Sequence, residues 1–594
     1  MPTTRLLAAA LTAIALPLSL TAPSLASDPK PAAGLRDIML VGNNWAGTAT
    51  IVDPHTYKVL KRGVDFIPDK EQELAERHSS PDKLAFYYLI QQGPGEGHDQ
   101  YVDDMFTTRD GRYVAVSRPS FADVVWIDLA KATAGRKDSI VREQPMDGYR
   151  TDHMNLSRDG RRLLVSDSTE RQVIEYSMVN ETVRGKRIRM GDRLRTFDSG
   201  ETPHESNYSK DGRTIFHASI GKVYTPGDSL STGPTKIGPL DDKLKGDRWF
   251  QTVDNETFKI LKRWDMGKEL AEAGHPQMAS AVRPMAVSPD ERFIYYQVSY
   301  FHGIVEFDTL ARDIDGSVTY TTGDVPEPRV GAVKRVVQLP NRVPEMPLEL
   351  YVNDSAHHGL AMNQAGTTLC VAGTMDDYAA LVDRKSMKYK LFDKDTTGHG
   401  YGKPYWATEG LHDTCWLSLS EDDAVAVLDF KTRREIAYLP VGDHPQRVRH
   451  GVIPKKVVAS WTETGKDRPS LVPGGTSKAS GRPGEPMLPG NGREPGQSWA
   501  DVPTDGSLPD PDSGYANDVS YLRDRGPADL TEVRRALRNA QDNLIVAEPM
   551  SADTDQSDKT ARQPEESGFP WWWGLLAAMG GASLWAVLRR DKAS

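Results

Sequence analysis

Two consecutive stretches decide the fold: TDHMNLSRDGRRLLVSDSTERQVIEYSM at residues 151–178 and TPHESNYSKDGRTIFHASIGKVY at residues 202–224. Each has a polar entry, a short strand, a Ser-x-Asp-Gly turn and a second strand of alternating apolar residues. Asp-Gly between such strands signals a hairpin, because glycine takes the positive φ the turn needs. A repeated hairpin cannot bury its apolar face alone, so neighbouring copies must cover it.

Working outward, the unit recurs. TTRDGRYVAVS precedes the pair; AVSPDERFIYYQVS, AMNQAGTTLCVAG and KPYWATEG with TCWLSLS follow it. A second signature, in IVDPHTYKV, TVDNETFKI and VLDFKTRREI, places Val/Leu-Asp before a turn and a new strand. Two hairpin turns per unit give four strands at intervals of roughly fifty to eighty residues, the proportions of a propeller blade. The stretch HPQRVRHGVIPKKVVASW (residues 444–461) reads as an inner strand with nothing after it, whereas residues 37–63 lack one. If the two pair, the ring closes and no sheet edge is left open. The expectation is an all-β, seven-bladed β-propeller over residues 37–461, closed by a C-terminal inner strand. A disordered linker and a C-terminal transmembrane helix should follow.

The flanks carry an address. Residues 1–26 read as a secretory signal peptide, one Arg followed by an apolar run and Ser-Leu-Ala. Residues 462–568 turn to Pro, Gly, Ser and charge, a disordered linker with a short amphipathic helix near 529–546. Residues 571–588 hold no charge and span ~27 Å as a helix, enough for a bilayer core. Trp571–Trp573 suit one interface and Arg589 and Arg590 the cytoplasmic side, leaving 589–594 as a cytoplasmic tail. The bulk of the chain should face outward as a single-pass protein of the cell membrane. A net charge of −10 argues against a nucleic-acid partner. Cys370 and Cys415 lie on apolar strands of adjacent units. Sheets normally stack ~10 Å apart, so two buried free thiols are expected, although an exported site permits a bond.

The segments VGDHPQRVRHGVI (441–453), AVSPDERFIYYQVS (286–299) and GTATIVDPHTYKVLKRG (47–63) resemble the YVTN-type seven-bladed propellers. These include relatives of the propellers of cytochrome d1 and nitrous oxide reductase. The resemblance implies architecture; such propellers host binding proteins, lactonases and metal redox enzymes alike.

Inner strands of a propeller converge on a central channel. Counting back seven positions from each hairpin turn selects Asp103, Asp152, His204, Arg283 and His358; matching the last two units by eye adds Tyr405 and Gln446. His98, His153, His357 and His444 stand nearby. Imidazole is a common copper, zinc and iron ligand, which makes His153, His204, His357 and His358 the candidates for a metal ion. Strict alternation admits only His204 and His358 to the ring, since a one-residue offset turns a side chain to the other face. These two are expected across a channel too wide for a shared ion, with no third histidine near.

No Cys-x-x-Cys-His haem motif, Gly-x-Ser-x-Gly element or phosphate-binding Gly-Lys-Thr/Ser occurs, and Gly93–Gly97 is a loop. Asp376 with Asp377, and Glu421 with Asp422 and Asp423, read as solvated turns. The leading expectation is an exported ligand- or protein-binding module. Its recognition surface would be the channel mouth and the insertions at residues 64–97, 225–250 and 310–350. The alternative is a metal-dependent, copper-like oxidoreductase using hub histidines.

Overall fold

The computed structural model describes residues 31–223, 245–275, 278–312, 330–346, 351–462 and 545–550. The expected signal peptide, cytoplasmic tail and membrane helix 571–588, and all of the linker except 462 and 545–550, lie outside them. Among the described residues no helix is long and apolar enough to cross a membrane.

Seven sheets form a seven-bladed propeller; six have four antiparallel strands, and that of blade 5 carries a fifth strand, parallel, at its outer edge. From the axis outward, blade 1 runs Pro445–Pro454, Leu35–Asn43, Thr48–Asp53, Lys58–Asp65. Its inner strand is thus the last of the ring, with His450 opposite Met39 and Pro454 opposite Leu35. Blade 2 begins at Met105–Thr107, blade 3 at Thr151–Leu156, blade 4 at Pro203–Tyr208, blade 5 at Met285–Val287, blade 6 at Gly359–Met362 and blade 7 at Pro404–Gly410.

Both repeated turns have a local cause. In the Ser-x-Asp-Gly turns the Ser hydroxyl donates to the Asp carboxylate, at 2.7 Å for Ser157–Asp159 and 2.8 Å for Ser209–Asp211. The glycines that follow, Gly160 and Gly212, take φ +66° and +71°. In the Val-Asp turns the aspartate caps the next amides, as Asp53 does for His55 N at 3.0 Å. The residue four positions on then turns back with positive φ, as at Tyr57, Phe258, Met387 and Arg433.

Apolar clusters fill every gap between neighbouring blades. Leu40 and Ile51 meet Val114 and Val125 between blades 1 and 2; Met39 and Val52 meet Trp416 and Val425 between blades 1 and 7. The intervening gaps are filled in the same way. Each blade therefore buries both faces, which is why its two central strands read as near-continuous apolar runs.

Several expectations need correction. Cys370 and Cys415 are bonded, with Cα atoms 6.5 Å apart. The ~10 Å spacing is a mean for packed sheets, whereas blades draw together toward the axis. Here Ala372, Ala379, Ala407, Ala424 and Ala426 share the cluster and let blades 6 and 7 approach. The helix expected near 529–546 does not extend to its end. Ile545–Val546 is instead a strand, parallel to Val337 and Gln338 at the outer edge of blade 5. The following residues continue onto blade 6, where Tyr389 N donates to Glu548 O at 3.0 Å and Met550 N to Tyr389 O at 2.7 Å. Two helices, Lys70–Arg77 and Pro81–Gln92, stand inside the first insertion.

Candidate functional site at the propeller hub

All seven predicted positions, the five counted from the turns and the two matched to them, line one cavity of about 310 Å³, measured with its open mouth. Asp103, Asp152, His204, Arg283, His358, Tyr405 and Gln446 share it with His153, Arg150, Arg447, Gln100 and Asn353. The first insertion reaches the lining through Pro94, and Val223 and Asn353 flank the other two, of which residues 225–244, 313–329 and 347–350 lie outside the described residues. Behind Pro94, Glu96 forms a buried ion pair with Lys403, and the Trp45 ring is stacked between His98 at 3.8 Å and His444 at 3.7 Å.

Three histidines meet in this cavity. Ring nitrogens of His153, His204 and His358 all lie within 4.8 Å of one another, and all three side chains are buried. Ring centroids are 4.0 Å apart for His153–His204, 5.7 Å for His204–His358 and 6.4 Å for His153–His358. The expectation of a wide channel without a third histidine is overturned, and the reason is a backbone irregularity. The inner strand of blade 3 bulges between Thr151 and Met154, and that of blade 4 between Pro203 and Ser206. A bulge breaks the two-residue alternation, so Asp152 and His153 both face the hub. His357 does not join the three. It points the other way, onto Asp376.

The surroundings set the tautomers. His153 Nδ1 lies 3.0 Å from Asp103 Oδ2 and 3.2 Å from Asp152 Oδ1, so it carries the proton and leaves Nε2 as a lone pair. His358 Nδ1 faces the Tyr405 carbonyl at 3.2 Å, which can only accept, so its Nε2 is also bare. A carboxylate or carbonyl behind each ring is the arrangement that orients metal-binding imidazoles. His153 Nε2 and His204 Nε2 are 2.7 Å apart, which makes His204 the donor between them. Its Nδ1 is then a buried acceptor with no hydrogen-bond partner. For His204 to ligate through Nε2, its proton must move to the unpartnered Nδ1, and the 2.7 Å separation must open to the ~2.9 Å of nitrogens bound at right angles, or the ~3.3 Å of nitrogens bound tetrahedrally, ~2.05 Å from one ion.

Burial, reinforced by neighbouring Arg447 and, for His153 and His204, by neighbouring imidazoles, holds all three imidazoles well below the ordinary histidine pKa. They are neutral, the state in which imidazole ligates. Burial pushes the Asp152 carboxyl up against the opposing pull of Arg150, its ion-pair partner. The Arg447 guanidinium packs 3.9 Å over Trp406. Its Nη2 is 2.6 and 2.7 Å from the two nitrogens of His153, a position over the ring rather than in its plane, and 3.2 Å from Asp103 Oδ1.

A second group, His302, His357 and Asp376, lies outside the cavity wall. Asp376 is buried and not a solvated turn; it accepts from His302 Nδ1 at 2.7 Å, His357 Nε2 at 2.8 Å and Arg342 N at 2.7 Å. Tyr351 and Tyr378 complete the network at 2.9 and 3.1 Å. Its ligating atoms already satisfy one another, which marks it as a structural cluster.

Arg150, Arg447, Trp406, Gln100 and Asn353 were not singled out from the sequence. The signal for Arg447 was present, since it follows Gln446 at the same strand entry, but alternation argued against it.

No family model matches this chain, and no curated protein matches it. The YVTN-type resemblance therefore has no matching family model behind it, while the seven-bladed architecture stands. Among solved structures the chain is similar to the hydrazine synthase of Kuenenia stuttgartiensis, at 13% identity and a TM-score of 0.36. The match covers 64% of this chain and 89% of that one. Neither an activity nor a site residue carries over from it.

Proposed function

We propose that this chain is an exported, membrane-tethered propeller that binds one transition-metal ion at its hub through His153, His204 and His358. The observation that carries this is the convergence of three buried, neutral imidazoles within 4.8 Å in the lining of a polar cavity. Three nitrogen ligands leave a fourth position for a ligand from the cavity. The set holds no thiolate or thioether, which suits Zn(II) or Cu(II) over softer ions. The expected role as a ligand-binding module is retained, with the metal as its centre. Export is supported by the signal-like residues 1–26, the apolar run 571–588 and the Cys370–Cys415 bond, which an oxidising compartment maintains.

The test is metal titration of the chelator-treated ectodomain with Zn(II) and with Cu(II), followed by metal analysis. One equivalent should bind tightly in the wild type and none in His204→Ala/His358→Ala. His217→Ala should retain the ion, because His217 is a buried histidine occupied by Ser199 and Ser206 at 2.7 and 2.9 Å. Absence of stoichiometric metal in the wild type overturns the proposal.

A further inference from the structure

The same cavity contains cationic donors that the protein does not use. Arg283 is 1% exposed and makes one side-chain hydrogen bond, Nη2 to Ser299 Oγ at 2.8 Å. Among the described residues no carboxylate lies within ion-pairing distance of it, and its Nε has no partner. Asp354, the carboxylate whose field it shares, is taken by Lys245 at 2.8 Å and Tyr300 at 2.7 Å. Arg447, also 1% exposed, has Nε and Nη1 without partners, and Gln446 has Nε2 without one. All three residues line the cavity. The remaining charges are matched, Arg150 with Asp152 and Arg447 with Asp103. One buried guanidinium is left over.

Buried charges in proteins are paired, and arginine's planar fork is shaped for two oxygens of one anion. We infer that the hub takes a small oxyanion, a carboxylate or an inorganic oxyanion, seated on Arg283 with Arg447 and Gln446 as further donors. The site is the hub of the proposed function, but the anion is held by residues that are not among the metal's ligands. The two readings can therefore fail separately.

The experiment is thermal unfolding and calorimetric titration of the full ectodomain at fixed ionic strength. The probes are acetate, nitrate, phosphate and sulfate, with acetamide as the neutral control. Each is measured on chelator-treated and on metal-loaded protein. At least one anion should bind the chelator-treated protein at one site and raise its melting temperature, while acetamide does neither. Arg283→Gln should weaken that binding at least tenfold while its metal content matches the wild type. It should also melt higher than the wild type without anion, because a buried unpaired charge has been removed. If Arg283→Gln does not fold, Gln446→Ala supplies the same comparison and should also weaken binding. Failure of every anion to bind, or equal binding by wild type and variant, overturns the inference whatever the metal result. Anion binding by a protein that takes up no metal upholds it and sinks the metal reading alone.

Discussion

Replacing Cys370 and Cys415 with alanine tests the packing of blades 6 and 7. Both cysteines are fully buried, in a cluster with Leu381, Leu417 and Leu428. The bond joins positions 45 residues apart in sequence. For a loop of that length, the chain-entropy relation gives about 13 cal/mol/K, or about 4 kcal/mol at 25 °C. The substituted alanines match others around them, so the side-chain volume lost adds little. The double variant should therefore lose about 3–4 kcal/mol in urea unfolding followed by far-UV circular dichroism. Wild type in reductant without denaturant should keep its bond, because no solvent path reaches either sulfur, and thiol labelling should appear only on unfolding. A double variant within about 1 kcal/mol of wild type would refute the reasoning, since that is the scale of an ordinary substitution.

Three further outcomes follow from the packing and the charges. Gly359→Ala places a Cβ 2.5 Å from Ala407 N and 2.7 Å from Trp406 backbone atoms, beside His358. It should cost about 1–3 kcal/mol by denaturation and weaken metal uptake in the same preparation. Ala547→Asp puts a carboxylate where Ala547 is 8% exposed, so residues 545–550 should detach, seen as faster hydrogen exchange of the Tyr389 amide. His204→Asn tests the pH linkage in metal-free protein. Because burial lowers the folded pKa, the unfolded state takes up a proton near pH 6.5 that the folded state refuses. The wild type should therefore lose up to about 1.4 kcal/mol per pH unit relative to the variant as pH falls below about 6.5. The difference is needed because Glu73 and Glu205, pushed up to about 7, titrate in the opposite sense and mask it in either protein alone.

Much of the architecture is legible in residues that act locally. Asp-Gly and Val-Asp turns announce themselves because their φ and capping requirements are met within five residues. Five hub positions follow from counting back along strands of fixed rise, and Tyr405 and Gln446 from matching the last two units to them. What escapes the sequence is set by contacts between blades. His153 faces the hub through a bulge that alternation does not foretell. Cys370 reaches Cys415 because alanines elsewhere thin the interface. Asp376 looks like a turn residue until His302, from another blade, is folded against it. The strand at Ile545–Val546 shows no pattern of its own, since two residues borrow their conformation from the edge they join.

The central claim is that one ion sits among His153, His204 and His358. The most direct measurement is a crystal structure of the metal-loaded ectodomain with anomalous difference data collected above and below the absorption edge of the metal added. One peak should appear about 2.0–2.1 Å from a nitrogen of each of the three rings. No peak there, or a single peak at His302, His357 and Asp376 instead, would contradict it.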